Sequence, residues 1–209
     1  MPLKRACRLC RCARPIPAEM TLTQEFFARG VHEVAEELIG ATFLVDGVGG
    51  KIVELEAYHH EDPAAHGYGG RTARNASMFG PPGHAYVYRS YGLHWCANVV
   101  CEPDGVGAAV LLRALEPTQG LEEMRARRGL VDARLLCSGP GRLTQALGLT
   151  QEHDGARLDR LPLRLLSPRA TFEVDVGPRI GISHGEERPW RYVLRDSSFV
   201  SRRLRPGSR

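Results

Sequence analysis

Glycine and proline interrupt this chain so often that no long regular element fits between them. The 209 residues include 23 glycines and 14 prolines, and the apolar segments fall into short runs bounded by one or the other. No window approaches the ~18 uninterrupted apolar residues that a membrane-spanning helix needs. Short apolar runs separated by turn residues build antiparallel neighbours most easily. An apolar share of 43% with 25% charged residues is ordinary for a globular domain and excludes a disordered or collagen-like chain.

Between the breaks, two periodicities alternate. Thr23 can cap a helix whose apolar residues Phe27, Val31, Val34 and Leu38 recur at three- and four-residue spacing, with Gly40 placed to end it. Residues 41–45 and 51–58 flank Asp46-Gly47-Val48-Gly49-Gly50, the composition of a hairpin loop. A second hairpin is expected between His84 and Val100, with Arg89-Ser90-Tyr91-Gly92 as its turn. Residues 108–115 fit a buried strand. Residues 118–128 and 138–147 fit helices stopped by Gly129 and Gly148, with Pro140 acceptable in a first turn. After Gly155 come short strands at 161–166, 171–176, 179–183 and 192–195. The pattern describes one α+β domain on a mainly antiparallel sheet.

Charge is unevenly placed. The net charge of +4 arises within residues 1–19, where Lys4, Arg5, Arg8, Arg11 and Arg14 face only Glu19, and residues 20–209 are neutral with 23 side chains of each sign. Residues 1–19 are therefore expected to be a basic arm without fixed structure, residues 20–209 the folded domain, and Met20 the natural start. The arm's Cys7, Cys10 and Cys12 lack a fourth ligand at zinc-finger spacing. It also lacks the ~7–15-residue apolar run of a secretory signal, so a cytoplasmic location and free thiols are expected.

Two segments carry chemistry. Residues 65–100 contain no Asp or Glu but hold Arg71, Arg74, Arg89 and 6 of the 14 aromatic residues. Cations interleaved with aromatic faces suit a nucleic acid, with charge tracking phosphates and rings stacking on bases; the same composition also fits sheet core with a solvated arginine rim. Just before it, the two-residue period of 51–58 puts Val53, Leu55 and Ala57 on one face and Glu54, Glu56 and Tyr58 on the other. A carboxylate about 7 Å along the strand from a tyrosine could activate water beside a bound ring. Hydrolysis at a sugar carbon needs such a group to offset an oxocarbenium-like charge. Alone, the fragment better fits a half-exposed strand whose acids only solubilise it.

The runs VELEAY (53–58), EDPAAH (61–66), GGRTARN (69–75), MFGPPGHAYVYRSYGLHWCANVV (78–100), LLRALEP (111–117) and LCSGPGRLTQALG (136–148) resemble the alkyladenine (3-methyladenine) DNA glycosylases, with RIGIS (179–183) and PWRY (189–192) similar to that family's C-terminal strands. The resemblance spans roughly 21–203 and omits the arm. It implies a curved antiparallel sheet with surrounding helices and a protruding, DNA-intercalating β-hairpin. The implied reaction is base excision: a damaged purine (3-methyladenine, 7-methylguanine, hypoxanthine or ethenoadenine) is flipped from duplex DNA and its N-glycosidic bond hydrolysed.

Residue by residue, Glu56 matches the family's general base and Arg113 a residue beside the catalytic water. Tyr58, His66 and Tyr88 match the walls that bracket the flipped base. Asn98 matches a pocket residue that disfavours the guanine 2-amino group, and Tyr91 the intercalating tyrosine. Arg71, Arg74 and Arg89 are the expected DNA-backbone contacts. No cofactor or metal is implied, and a monomer is expected. Lys51 is the sole lysine after the arm, so there is no obvious Schiff-base nucleophile and no strand-cleaving lyase activity is expected. The sequence departs from the family at Ala73 and Ser198, where proline is common. Two alternatives remain: a non-catalytic DNA-binding protein, and a metal hydrolase using His59, His60, Glu61, Asp62 and His66.

Overall fold

The computed structural model describes residues 20–204; the expectations for the arm, including its cysteines, lie outside the described residues. Two short helices, α1 (Gln24–Phe27) and α2 (Val31–Glu37), precede the hairpin of β1 (Thr42–Val45) and β2 (Val48–Tyr58). A 3-10 turn (Ala76–Phe79) leads to β3 (Ala85–Ser90), β4 (His94–Val100) and β5 (Ala109–Gln119). Helices α3 (Leu121–Arg128), α4 (Ala133–Leu136) and α5 (Pro140–Leu147) follow, then β6 (Asp159–Arg160), β7 (Leu163–Leu166), β8 (Val174–Gly177) and β9 (Arg191–Leu194).

All strand pairs are antiparallel, and nine strands form one sheet in the order β3-β4-β5-β2-β1-β7-β6, with β9 also on β2 and β8 on β9. The α+β expectation holds. Strand β2 is the axis of the fold. Its first half pairs with β1, and Glu54–Glu56 pair with β9. Register shifts against β5 at Gly49/Gly50 and on both sides of Glu54 bend the strand between these partners and curve the sheet.

Several elements differ from the sequence pattern. The expected single helix at 23–39 is broken. Gly30 disfavours continuation, and the Val31 N–H is taken by the Glu102 carboxylate (3.0 Å) instead of a helical carbonyl. The first hairpin loop narrows to Asp46-Gly47, both at positive φ, and Val48–Gly50 join β2. Gly49 and Gly50 belong in the strand because a Cβ there would lie 1.9 Å from the Phe43 carbonyl oxygen and 2.0 Å from that of Glu116. The second turn also moves outward: β3 runs through Ser90, leaving Tyr91 and Gly92 at positive φ. Strand β5 absorbs 118 and 119, so α3 starts later than expected, while α4 has no counterpart in the expected pattern. The expected strand at 161–166 splits around a turn. The one at 179–183 is absent, because Arg179 and the Ile180 N–H bond instead to Ala57 and Glu56 of β2.

The core packs against both faces of β2: Val53, Leu55 and Ala57 are fully buried, and so are Glu54 and Glu56. These two acids therefore do not solubilise an exposed face.

Candidate active site

Burying a carboxylate is costly unless it is paired and hydrogen-bonded. Strand β2 buries two of them. The shifts on either side of Glu54 bring Arg113 of β5 between both: its Nε donates to Glu54 Oε1 (3.2 Å) and its Nη1 to Glu56 Oε2 (3.1 Å). Burial alone would lower the Arg113 pKa, but Glu56 and Glu54 outweigh it and raise it, so the guanidinium stays charged.

The two acids then diverge. Glu54 also accepts from Arg191 Nε (2.7 Å), the Ser201 hydroxyl (2.8 Å) and the Ser201 N–H. It is saturated by protein donors. Glu56 accepts from the Ile180 N–H (2.7 Å) on Oε1 and from the Tyr58 hydroxyl (3.0 Å) on Oε2. Of the Glu56 donors, only Tyr58 lines the cavity above.

That cavity, about 600 Å³, lies between the β3–β4 hairpin, the 63–74 loop and residues 181–184. Its walls are aromatic and locked. His66 Nδ1 and the Tyr86 hydroxyl are 2.9 Å apart, the His66 and Tyr88 rings meet edge-on at 4.4 Å, and Tyr86 stacks on Tyr88 at 5.3 Å. Asn98 Nδ2 donates to the Tyr86 carbonyl (2.9 Å). Asn75 holds the His66 segment by donating to the His66 carbonyl (2.7 Å) and the Gly70 carbonyl (3.0 Å), while accepting from Thr72.

Behind Tyr58, the guanidinium of fully buried Arg179 sits 4.7 Å from its ring and 5.0 Å from that of Trp190, paired with buried Asp62. Burial and the Glu56 charge push the Tyr58 phenol up, and burial pushes Tyr86 to about 12 and Tyr88 up as well. Burial, then the Arg74 charge, lowers the His66 imidazole, which is therefore neutral at physiological pH.

Of the residues singled out by sequence, Tyr58, His66, Arg74, Tyr88, Tyr91 and Asn98 line the cavity, and Glu56 and Arg113 lie beneath it. Arg71 and Arg89 do not line it; both are exposed, and Arg89 lies 5.8 Å from the Trp95 ring on the hairpin. Tyr91, at the tip, is 87% exposed and Leu93 beside it 78%, so neither folds back on the hairpin. The metal-hydrolase set does not assemble, since Asp62 is spent on Arg179 and His66 on Tyr86. Sequence reasoning missed the Arg191–Glu54 pair, the Ile180 N–H and Arg179–Asp62. Only their distant partners give them meaning. It also missed a basic cleft where α5 begins, lined by His94, Arg128, Ser138 and Arg142; burial and the facing Arg142 charge lower the Arg128 pKa.

The residues around the cavity together form an aromatic slot above a buried, arginine-held carboxylate. The family model of methylpurine-DNA glycosylase (MPG) matches residues 25–198. The chain belongs to the methylpurine-DNA glycosylase family. A Rhodopseudomonas palustris (strain HaA2) protein assigned as a 3-methyladenine DNA glycosylase is 62% identical over 193 residues, covering 91% of this chain and 96% of its own. A counterpart from strain BisB18 is 63% identical over 191 residues (90% and 96%), and one from Bradyrhizobium diazoefficiens 60% over 181 (87% and 90%). Membership makes the chain a DNA glycosylase, a hydrolase of base-excision repair that acts on DNA. Among the described residues no helix is long and apolar enough to cross a membrane.

Proposed function

We propose that this glycosylase flips an alkylated or deaminated purine into the aromatic cavity and hydrolyses its N-glycosidic bond with a water activated by Glu56. The observation that carries this is the Glu56 carboxylate, buried yet hydrogen-bonded to the hydroxyl of Tyr58, a wall residue of the cavity. Water reaches Oε2 by taking that hydroxyl's place. The Ile180 N–H and Arg113 keep the carboxylate oriented meanwhile.

As the glycosidic bond breaks, its electron pair leaves with the base. The carboxylate offsets the charge growing on the sugar, and the water adds its oxygen to the anomeric carbon while giving a proton to Glu56. An alkylated purine already carries a positive charge and leaves easily. Neutral His66 does not repel it, and aromatic faces attract such a cation by about 0.5–2 kcal/mol. Tyr58, His66 and Tyr88 bracket the base, and Asn98 disfavours the guanine 2-amino group.

Tyr91 wedges into the stack left by the flipped nucleotide, where an exposed aromatic side chain can replace the lost stacking. Arg71, Arg74 and Arg89 contact the backbone, and the Arg128–Arg142 cleft, lined among the described residues by two cations and no carboxylate, takes a further phosphate. The enzyme acts as a monofunctional monomer and leaves an abasic site. Lys51 is engaged with Glu116 (2.6 Å) and does not line the cavity, so it offers no amine for a lyase step.

Glu56→Gln tests the assignment. Retained affinity for hypoxanthine-containing duplex with abolished base release supports it. Unchanged base release refutes the Glu56 role, and absence of release by the unaltered protein too would leave only a DNA-binding function.

A further inference from the structure

On the side of the pocket loop away from the cavity, we infer a site for a zinc-class divalent cation formed by His59, His60 and Glu102. The three side chains bring their ligand atoms within 4.8 Å of one another, and none lines the base cavity. His59 Nε2 and Glu102 Oε2 are 3.4 Å apart. Two ligands bound at about 2.0–2.1 Å on a tetrahedral zinc stand ~3.3 Å apart, so this pair already has the spacing of a shared ion. His60 is exposed, its ring 4.1 Å from that of His59, and a rotation closes the remaining gap.

The surroundings are those of a ligand shell. Glu102 sits just after β4 at φ +66, its N–H bonded to the Phe27 carbonyl (2.9 Å) and its Oε1 accepting from the Val31 N–H (3.0 Å). Oε2 is thereby left turned towards His59. On the other side of that ring, the Glu61 N–H donates to His59 Nδ1 (3.3 Å) and Glu61 Oε2 lies 3.7 Å from the same nitrogen, so binding a metal at Nε2 exchanges the N–H bond for the tautomer whose Nδ1 proton faces that carboxylate. Two imidazoles with one carboxylate suit zinc-class ions better than magnesium or calcium, which prefer oxygen throughout. The ion ties the segment after β2 to the end of β4. That segment carries Asp62, the partner of Arg179 behind Tyr58. The role is to stiffen the pocket loop, with no part in the bond cleavage.

The test uses the full chain, stripped with a chelator and titrated with cobalt(II) and zinc. Expected is one equivalent whose cobalt spectrum shows weak visible bands without thiolate charge-transfer, in the Cys7→Ser/Cys10→Ser/Cys12→Ser chain as well as the unaltered one. His60→Ala, at an exposed position, and Glu102→Gln, which keeps an oxygen for Val31, should each weaken binding at least about 100-fold, beyond what loss of an outer-shell group costs. Zinc should raise the melting temperature of the unaltered protein and not of His60→Ala. No equivalent beyond the three arm cysteines, or binding unchanged in both variants, overturns the site.

Discussion

Glu54 and Glu56 lie two residues apart on one strand and share Arg113, yet of the two only Glu56 is bonded to a residue of the cavity wall. Glu54→Gln separates the two. It removes the sole carboxylate partner of Arg191 among the described residues and leaves Glu56 alone to balance two buried guanidiniums. Breaking a buried pair by deleting one charge costs about 3–5 kcal/mol. For a chain of this size each kcal/mol lowers the melting temperature by about 2–4 °C, so a fall of ~6–20 °C is expected. Glu56→Gln should cost less, because Arg113 keeps Glu54 and the glutamine oxygen still receives the Ile180 N–H. Calorimetry measures the first quantity. Single-turnover release of hypoxanthine, well below the melting point of either variant, measures the second. Folded Glu54→Gln should retain release within about tenfold, a ~1.4 kcal/mol effect on the barrier, whereas Glu56→Gln should have none. A Glu54→Gln protein that melts like the parent but releases no base would refute this division of labour.

Tyr91→Ser alters a side chain that is 87% exposed, so stability should stay within about 0.5 kcal/mol, while excision from duplex DNA falls more than excision from a single strand; equal losses on both would argue against a wedge. His66 is lowered by burial and by Arg74, and His32 by burial and by His59. As pH falls below the ordinary value of 6.5 the unfolded chain therefore takes up protons that the folded one resists. The melting temperature should drop between pH ~7.5 and ~5.5, and less so in His66→Gln; a flat profile would contradict neutral, buried imidazoles.

What the sequence made legible was local. Alternation along β2 placed Glu54, Glu56 and Tyr58 on one face, and Tyr91-Gly92 marked a hairpin tip, because strand period and tight turns are written in neighbouring residues. The missed features depend on residues far along the chain. Glu102, 71 positions after Val31, breaks the first helix; Arg179, 117 positions after Asp62, gives up a strand to pair with it. Glu54 read as a solvent-facing acid because nothing near it announces Arg191, which arrives on β9. Local periodicity says which face a side chain takes, but not what will cover that face. Choosing Glu56 over Glu54 from sequence needed the family resemblance; in the structure Glu56, and not Glu54, accepts from the hydroxyl of cavity-lining Tyr58.

The central claim is hydrolysis of an N-glycosidic bond without strand cleavage. Its most direct measurement is incubation of the unaltered protein with end-labelled duplexes, each carrying one hypoxanthine, 3-methyladenine, 7-methylguanine or ethenoadenine. Expected is free base with an intact strand that breaks at the lesion only after alkali. Strand breaks before alkali would contradict the monofunctional mechanism, and intact alkali-treated strands with every lesion would contradict the enzyme itself.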